Sequence, residues 1–584
     1  MKILLTVLFL LFNSFIALAG DAALQTILDE DWKFRLTEDP LFATSAGNHE
    51  YDALLSSVQK EDFERRNSVR RQRLEKLDAL DRSKLTNSER ISYDLLKQDL
   101  LDSISEFEFK TYLIPLNADS GFHSEFARLP RLMPFVIFKD YENYIARLNA
   151  FPEYMRQNIS LLREGIQTGM SLPAVTLQGL EASISSNIVE NPEKSVFYTP
   201  FAEFPSSVPA SSREQLKRKG IQAIRESVVP AYRTFLDFMT GEYIPKTRRT
   251  TAASDLPNGR KYYEYLVRHF TTLELTAEEV HQIGLREVDR IHKEMEEIIR
   301  NVRFQGDFAS FLQFLRTDPR FYPKTAEQLL KEASFISKKI DGKLPSLFKH
   351  LPRLPYGIEP VPDSIAPKYT AGRYVEPPQG SKEPGLYWVN TYALESRTLY
   401  TLESLTLHEA VPGHHLQTAI ARELENIPEL RKTTYISAFG EGWGLYSEWL
   451  GLEAGFYKDP YSNFGRLTYE MWRACRLVVD TGIHAKGWSR EKAMEYMAAN
   501  TALSLHEVKT ETDRYISWPG QALAYKIGEL KIRELRKKVE AALGTKFDVR
   551  EFHDAVLGNG SVTLPILEQE IENFIKEKAG AVAK

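Results

Sequence analysis

The chain has 584 residues, with 75 lysines and arginines against 80 aspartates and glutamates, and a formal net charge of −5. This mixed composition lacks the concentrated basic surface that nucleic-acid binding requires, so no nucleic-acid partner is expected. Cys475 is the single cysteine, which excludes an internal disulfide.

The first residues have the pattern of a secretory signal peptide. Lys2 supplies the positive start, the following stretch is largely apolar, and Ala17-Leu18-Ala19 matches a cleavage site. We therefore expect residues 1–19 to be removed and the protein to be secreted or periplasmic. The apolar stretch is short for a spanning helix, so no stable membrane span is expected after cleavage.

The rest of the chain predicts a mostly α-helical protein. From Thr86 to Phe109 apolar residues recur every three or four positions, as in a helix that buries one face. Thr276–Glu279 and Thr325–Gln328 match the capping box that begins a helix. Without a linker or repeat, we predict one continuous lobed unit, with an N-terminal helical lobe at 20–255 and a catalytic lobe at 256–584.

A small β-sheet is expected after residue 351. Residues 351–384 are rich in proline and glycine, too broken for a helix, and Gly385 to Tyr392 then has the composition of a short strand. Such a strand beside a metal-binding helix can offer its edge to an extended peptide. A hairpin in the core is the alternative.

Three of the 12 histidines crowd around one glutamate in the segment His408 to His415. Neutral imidazoles hold zinc, and a carboxylate beside the metal can take a proton from water. The usual second histidine of a zinc-protease helix comes four residues after the first, but Pro412 occupies that position. Because His414 would lie about 9 Å along a regular helix axis from His408, the helix must bulge or break at Pro412-Gly413.

Two interpretations of this segment remain. A two-residue bulge brings His414 to the position of the second Zn²⁺ ligand, with His415 as the alternative ligand and Glu409 as the general base. Otherwise the helix ends at Pro412-Gly413 and surface histidines follow it. We favour the zinc site, because such crowding is improbable by chance.

Other candidates for the site come from later segments. Glu441, in a glycine-rich helical start, is the candidate for a third metal ligand, and Glu448 is either a residue that orients a ligand or a surface residue. Tyr515 is the candidate oxyanion donor, with Tyr525 as the next candidate, and His506 is a candidate for binding the substrate backbone. The candidates for holding a substrate carboxylate are Arg473, Arg476 and Arg514. Asp480 and His484, four residues apart, form either a buried structural pair or a catalytic pair, and we favour the structural one.

Three segments carry a resemblance to a known family. They fit the patterns HEAxPGHHLQ (408–417), EGWxLYxE (441–448) and DRYxxxPGQALAYKIG (513–528), which are typical of a bacterial family of secreted proteins of unknown function (domain of unknown function 885). The match covers about residues 256–532. That family is similar in its order of elements to zincin metallopeptidases, namely the angiotensin-converting-enzyme group and dipeptidyl peptidase III.

The resemblance implies a large multi-helix zincin-like metallopeptidase, with a deep cleft and a small β-sheet beside the zinc helix. The residues it implies are His408, His414 and Glu441 on zinc, Glu409 as base and Tyr515 as oxyanion donor. In the converting-enzyme group an acidic residue one turn after the glutamate ligand orients a histidine, but here that position is Leu445.

The sequence therefore predicts a secreted zinc metallopeptidase that hydrolyses peptides, as a carboxypeptidase or oligopeptidase on short peptides. One alternative is a zinc hydrolase of a non-peptide amide or ester. Another is a non-catalytic binding protein that retains the cleft, although such a protein has no use for the base Glu409.

Overall fold

The structure, a computed structural model, describes residues 21–118, 120–363 and 365–580. The predicted signal peptide, residues 1–19, lies outside them. The described part is mostly helical with one three-stranded sheet, which confirms the predicted composition of the fold. None of its helices is long and apolar enough to cross a membrane.

Helices make up most of the chain before residue 253. Thr86 caps the helix predicted for residues 86–109 through reciprocal hydrogen bonds with Glu89. The α-helices of this part are Ala22–Glu38, Pro40–Ser45, Lys60–Asp78, Asn87–Glu108, Phe122–Phe126, Leu129–Leu132, Phe138–Thr168, Leu180–Ser185, Thr199–Ala202, Ala210–Ala223, Val229–Phe238 and Ile244–Lys246. Two π-helical segments, Ile224–Val228 and Met239–Tyr243, connect the last three.

The remaining α-helices follow residue 253. Thr276 forms the predicted capping box, whereas Thr325 caps its helix and Gln328 reaches back to the amide of Lys324 instead. These α-helices are Gly259–Thr271, Ala277–Asn301, Phe308–Thr317, Ala326–Asp341, Leu344–Leu347, Leu402–Glu409, His414–Glu423, Glu429–Thr433, Ser437–Leu450, Pro460–Lys486, Arg490–Asn500, Leu505–Ser517, Ala524–Leu543, Val549–Leu557 and Leu564–Gly580.

Two large apolar cores hold these helices together. One core draws its buried residues from 116–243 and is rich in aromatic rings. The other draws most of its residues from 253–571. The Pro460–Lys486 helix runs through the second core and is buried on all sides from Phe464 to His484. A helix buried all round has no solvent face, so every charged side chain on it needs a partner inside the protein.

The sheet lies immediately before the histidine segment. It consists of β1 (Tyr356–Pro360), β2 (Gly372–Val375) and β3 (Gly385–Val389), in the order β1-β3-β2. β1 is parallel to β3, and β2 is antiparallel to it. The predicted strand is therefore the central one, and the expectation that it offers an edge is wrong. β2, from the segment described as too broken for a helix, is an edge strand instead.

Candidate metal centre

The helix that carries His408 and Glu409 ends where the sequence predicts a distortion. Leu402–Glu409 stops, four residues turn the chain, and a second helix starts at His414. Gly413 is required in this turn, since a β-carbon there would lie 1.9 Å from the carbonyl oxygen of His408. The indole of Trp443 donates a hydrogen bond of 2.8 Å to the carbonyl of Pro412. The break is thus fixed by packing against the neighbouring helix.

The break brings three predicted ligands together. One donor atom from each of His408, His414 and Glu441 lies within 4.8 Å of the other two. Glu441 Oε2 is 3.4 Å from His408 Nε2 and 3.3 Å from His414 Nε2. Two ligands bonded at 2.0–2.1 Å to a tetrahedral ion lie about 3.3 Å apart. The two nitrogens and one oxygen therefore fit zinc in type and in spacing.

The Ser437–Leu450 helix delivers Glu441 and supports His408. Gly444 permits the close approach, because a β-carbon there would lie 2.6 Å from the imidazole of His408. Two turns after Glu441, Glu448 Oε1 accepts a 2.9 Å hydrogen bond from His408 Nδ1. This bond leaves Nε2 to face Glu441, so Glu448 does the orienting that Leu445 cannot.

The electrostatics of His408 follow from these carboxylates. Burial alone would lower the pKa of His408, but its hydrogen bonds to Glu441 and Glu448 raise that pKa to about 10. The two imidazoles in turn hold the pKa of Glu441 well below its usual range despite burial. A proton is therefore shared within this cluster, and any metal that binds there must displace it.

His415, the alternative ligand, lies away from this cluster. Its Nδ1 is 3.2 Å from the hydroxyl of Tyr374, and its Nε2 is 3.0 Å from the carbonyl of Leu354. Burial lowers the pKa of His415 to about 4, so the ring stays neutral. His414, and not His415, is therefore the histidine that lies together with His408 and Glu441.

Glu409 lies beside the three ligands, at the edge strand of the sheet. Its Oε2 accepts a 2.8 Å hydrogen bond from the backbone amide of Tyr374 in β2. Both residues line a cavity of about 530 Å³ that also contains the three candidate ligands. The bond fixes one carboxylate oxygen and leaves the other to serve the cavity.

The structure does not bring Tyr515 to this cavity. The ring is 1% exposed, and its hydroxyl accepts hydrogen bonds from Trp472 Nε1 at 2.7 Å and from Arg476 Nε at 2.9 Å. Burial raises its pKa, so the phenol stays protonated. This placement behind the cavity wall does not support the oxyanion role predicted for Tyr515.

Four other tyrosines line the cavity, and two of them contact the candidate ligands. The ring of Tyr525 stacks on His408 with centroids 6.4 Å apart, and its hydroxyl accepts a 3.2 Å hydrogen bond from Arg514. The hydroxyl of Tyr435 donates to Glu441 Oε1 at 3.3 Å. Tyr525 shares the motif of Tyr515 and was within reach of sequence reasoning, whereas no local pattern marks Tyr435.

The remaining candidates divide into two groups. The three arginines predicted to hold a carboxylate, Arg473, Arg476 and Arg514, all line the cavity. His506 is exposed in the first turn of the Leu505–Ser517 helix and is not among the lining residues. Asp480 and His484 do not pair with each other: Asp480 accepts from Tyr263 and Gly520, and His484 contacts Ala253 and the carbonyl of Tyr515.

Comparisons with known proteins agree in family and fold. The family described as "Bacterial protein of unknown function (DUF885)" matches residues 40–571. A crystal structure from Colwellia psychrerythraea is 28% identical, with a TM-score of 0.87 over 95% of this chain and 100% of its own. A protein of unknown function from Shewanella oneidensis shares the fold at 17% identity, with a TM-score of 0.72 over 94% and 99% of the two chains. No curated protein matches. The chain belongs to this bacterial family, DUF885.

Proposed function

We propose that this protein is a secreted zinc metallopeptidase that hydrolyses peptides. The observation that carries the proposal is the placement of Glu409 beside three donor atoms whose spacing, 3.3 and 3.4 Å around Glu441, fits a tetrahedral zinc ion. Three protein ligands with a fourth position left open are typical of catalytic zinc, whereas structural zinc has four protein ligands. A resemblance in the order of these residues to zincin peptidases supports the same function.

Two residues of the cavity have parts in such a reaction. Zinc, when bound, supplies a Lewis acid that activates water and polarises a carbonyl. Glu409 takes a proton from the attacking water and returns it to the leaving amine. Tyr525 has a hydroxyl whose proton is not used by Arg514, so it can donate a hydrogen bond to the oxyanion.

The edge strand supports a peptide as the substrate. Residues 370–374, which include most of β2, line the cavity on the side of Glu409. An extended peptide can add to an edge strand through main-chain hydrogen bonds, whatever its side chains are. Because the amide of Tyr374 in β2 donates to Glu409, a peptide added to this strand would lie beside the proposed base.

The metal is tested first, by titrating purified protein with zinc. We expect about one zinc per chain and a large loss of affinity in His414→Ala, because His414 supplies one of three protein ligands. His415→Ala is the matched control and should keep nearly full affinity, since that ring contacts Tyr374 and Leu354 instead. The reverse order would contradict the ligand assignment.

Hydrolysis is tested with a mixed peptide library and mass spectrometry. We expect zinc-loaded protein to cleave peptides, chelated protein to be inactive, and Glu409→Gln to lose about 10²- to 10⁴-fold in rate while it keeps its zinc. The amide retains the shape of the carboxylate but cannot accept the proton. If zinc-loaded protein cleaves no peptide, the proposed peptidase activity is contradicted. The two alternatives would then be a zinc hydrolase of a non-peptide amide or ester and a non-catalytic binding protein.

A further inference from the structure

Three arginines form one wall of the cavity, although arginine is costly to bury. Arg473 and Arg476 come from the fully buried Pro460–Lys486 helix and are 3% and 1% exposed. Arg514 comes from the Leu505–Ser517 helix. Buried ions destabilise a protein unless they are paired. The interaction partners of these arginines therefore indicate their role.

The carboxylates next to Arg473 and Arg476 are each shared with another group. Glu448 Oε1 lies 3.2 Å from Arg473, but the same oxygen also holds His408. Glu511 is shared by Arg476 at 2.9 Å and by Arg514 at 3.7 Å. Neither Arg473 nor Arg476 therefore has a carboxylate to itself.

Two buried donors in this wall have no hydrogen-bond partner among the described residues. They are Nη1 of Arg476 and Nε of Arg473. The other nitrogens of Arg476 are occupied, since Nε donates to Tyr515 and Nη2 to Glu511. An unsatisfied buried donor on a charged group is expensive, so a cavity wall with two of them fits a ligand that brings acceptor oxygens.

The wall lies close to the candidate metal centre. The guanidinium carbon of Arg476 is 4.1 Å from the ring centroid of Tyr525, and the same ring is 6.4 Å from that of His408. A group held by Arg476 is thus within the length of about three extended residues from the metal ligands.

We infer that Arg476 and Arg473 bind a carboxylate of the substrate that lies one to three residues beyond the bond to be cleaved. Arginine suits this role because its planar fork matches both oxygens of a carboxylate. The carboxylate is either the C terminus of the peptide, which makes the enzyme a carboxypeptidase, or an acidic side chain. The inference rests on the proposed function and narrows its substrate class.

Three matched peptides distinguish the two sources. All are N-acetylated, alanine-rich pentapeptides: one ends in a free carboxylate, one in a C-terminal amide, and one in glutamate with a C-terminal amide. A charge-assisted contact predicts about 10- to 100-fold higher kcat/KM for the free acid than for the plain amide. If the glutamate amide is cleaved with the same kcat/KM as the free acid, the site binds acidic side chains. Mass spectrometry should place the cut one to three residues from the C terminus.

Binding is measured separately, by calorimetry on zinc-loaded Glu409→Gln. The free acid should bind about 10- to 100-fold more tightly than the amide, and Arg476→Lys should reduce this preference because it keeps the charge but loses the fork. Arg163→Lys is the matched control, since its exposed pair with Glu242 does not line the cavity.

The outcomes separate this inference from the proposed function. Equal cleavage of all three peptides overturns the carboxylate site and leaves the peptidase standing. Selective binding of the free acid without any cleavage by the wild-type protein supports the carboxylate site and overturns the peptidase. Equal affinity of zinc-loaded Glu409→Gln for the acid and the amide overturns the inference. This comparison of peptides needs no Arg476 variant, so it holds even if Arg476 variants are poorly stable. An acid preference that Arg476→Lys leaves unchanged also overturns the assignment to Arg476.

Discussion

Buried charge is used differently in the two halves of this protein. In the 116–243 core, the guanidinium of Arg147 is fully buried and donates to the carbonyls of Leu54 and Pro40 and to the hydroxyl of Thr44. Arg147 thus links backbone segments to one another through hydrogen bonds. In the second half, Arg473 and Arg476 are just as buried, yet each keeps a donor without a partner among the described residues. The difference teaches that burial alone does not identify a binding site, and the inferred carboxylate site rests instead on unsatisfied donors beside the cavity that holds the candidate metal ligands.

The largest effect that sharpens this comparison is on stability. We expect Arg147→Met to destabilise the protein by about 3–5 kcal/mol, because it leaves Asp52, the two carbonyls and Thr44 without their buried partner. Zinc affinity and rate per folded molecule should be unchanged. Unfolding in urea and zinc titration measure the two. Arg163→Met is the control, and its exposed ion pair predicts a change below about 1 kcal/mol.

The next effect is on turnover, and it compares two tyrosines of one motif. We expect Tyr525→Phe to lower kcat by about 10²- to 10³-fold, the usual cost of losing one oxyanion donor, with zinc content unchanged. Tyr515→Phe should act on stability instead, because its hydroxyl accepts from Trp472 and Arg476 inside the wall. Steady-state kinetics on the two zinc-loaded variants decide between them. A larger loss of kcat in Tyr515→Phe would restore the sequence-based assignment.

These tyrosines also show where sequence reasoning stops. Tyr515 ends one helix and Tyr525 begins the next, with the turn at 518–520 between them. Residue types and spacing in the motif are the same whichever hydroxyl reaches the cavity. The angle between the two helices decides that, and it depends on packing against the Pro460–Lys486 helix rather than on local sequence.

The ligand cluster was more accessible to sequence reasoning, because most of its geometry is local. Pro412 and Gly413 prohibit a regular helix between His408 and His414, and the structure has a break there. Strands β1 and β2 were missed for the opposite reason. They come from a proline-rich segment whose pairing partner, β3, follows later in the chain, so their strand character depends on non-local hydrogen bonds.

The pair Asp480 and His484 is buried as predicted, but the two side chains do not contact each other. Asp480 and His484 are four residues apart and fully buried, as expected of a structural pair. Because the helix is buried all round, partners from other elements are nearer than the residue one turn away. Tyr263 donates to Asp480 at 2.6 Å, and the amide of Gly520 donates at 3.1 Å.

The smallest expected effect concerns the pH dependence of stability at Asp480. Burial raises the pKa of this carboxyl to about 7, although the bonds from Tyr263 and Gly520 oppose the shift. A carboxyl whose pKa is raised by folding contributes stability that is complete below its unfolded pKa, near 4, and is lost as pH rises through about 7. An asparagine side chain cannot ionise, so Asp480→Asn removes this loss. Relative to the wild type, we expect the variant to gain about 2–3 kcal/mol between pH 5 and pH 8, because the wild type loses about 1.4 kcal/mol per pH unit from pH 5 to about pH 7.

Urea unfolding of both proteins at the two pH values measures this difference, and any constant cost of the substitution cancels in it. Asp548→Asn is the matched control: the hydrogen bonds of Arg550 hold the pKa of Asp548 at about 2, so its carboxylate is ionised throughout this range and no pH-dependent difference is expected. An equal wild-type and variant response from pH 5 to pH 8 would mean that Asp480 is ionised in the fold at pH 5, with the Gly520 amide and Tyr263 hydroxyl sufficient to stabilise its charge.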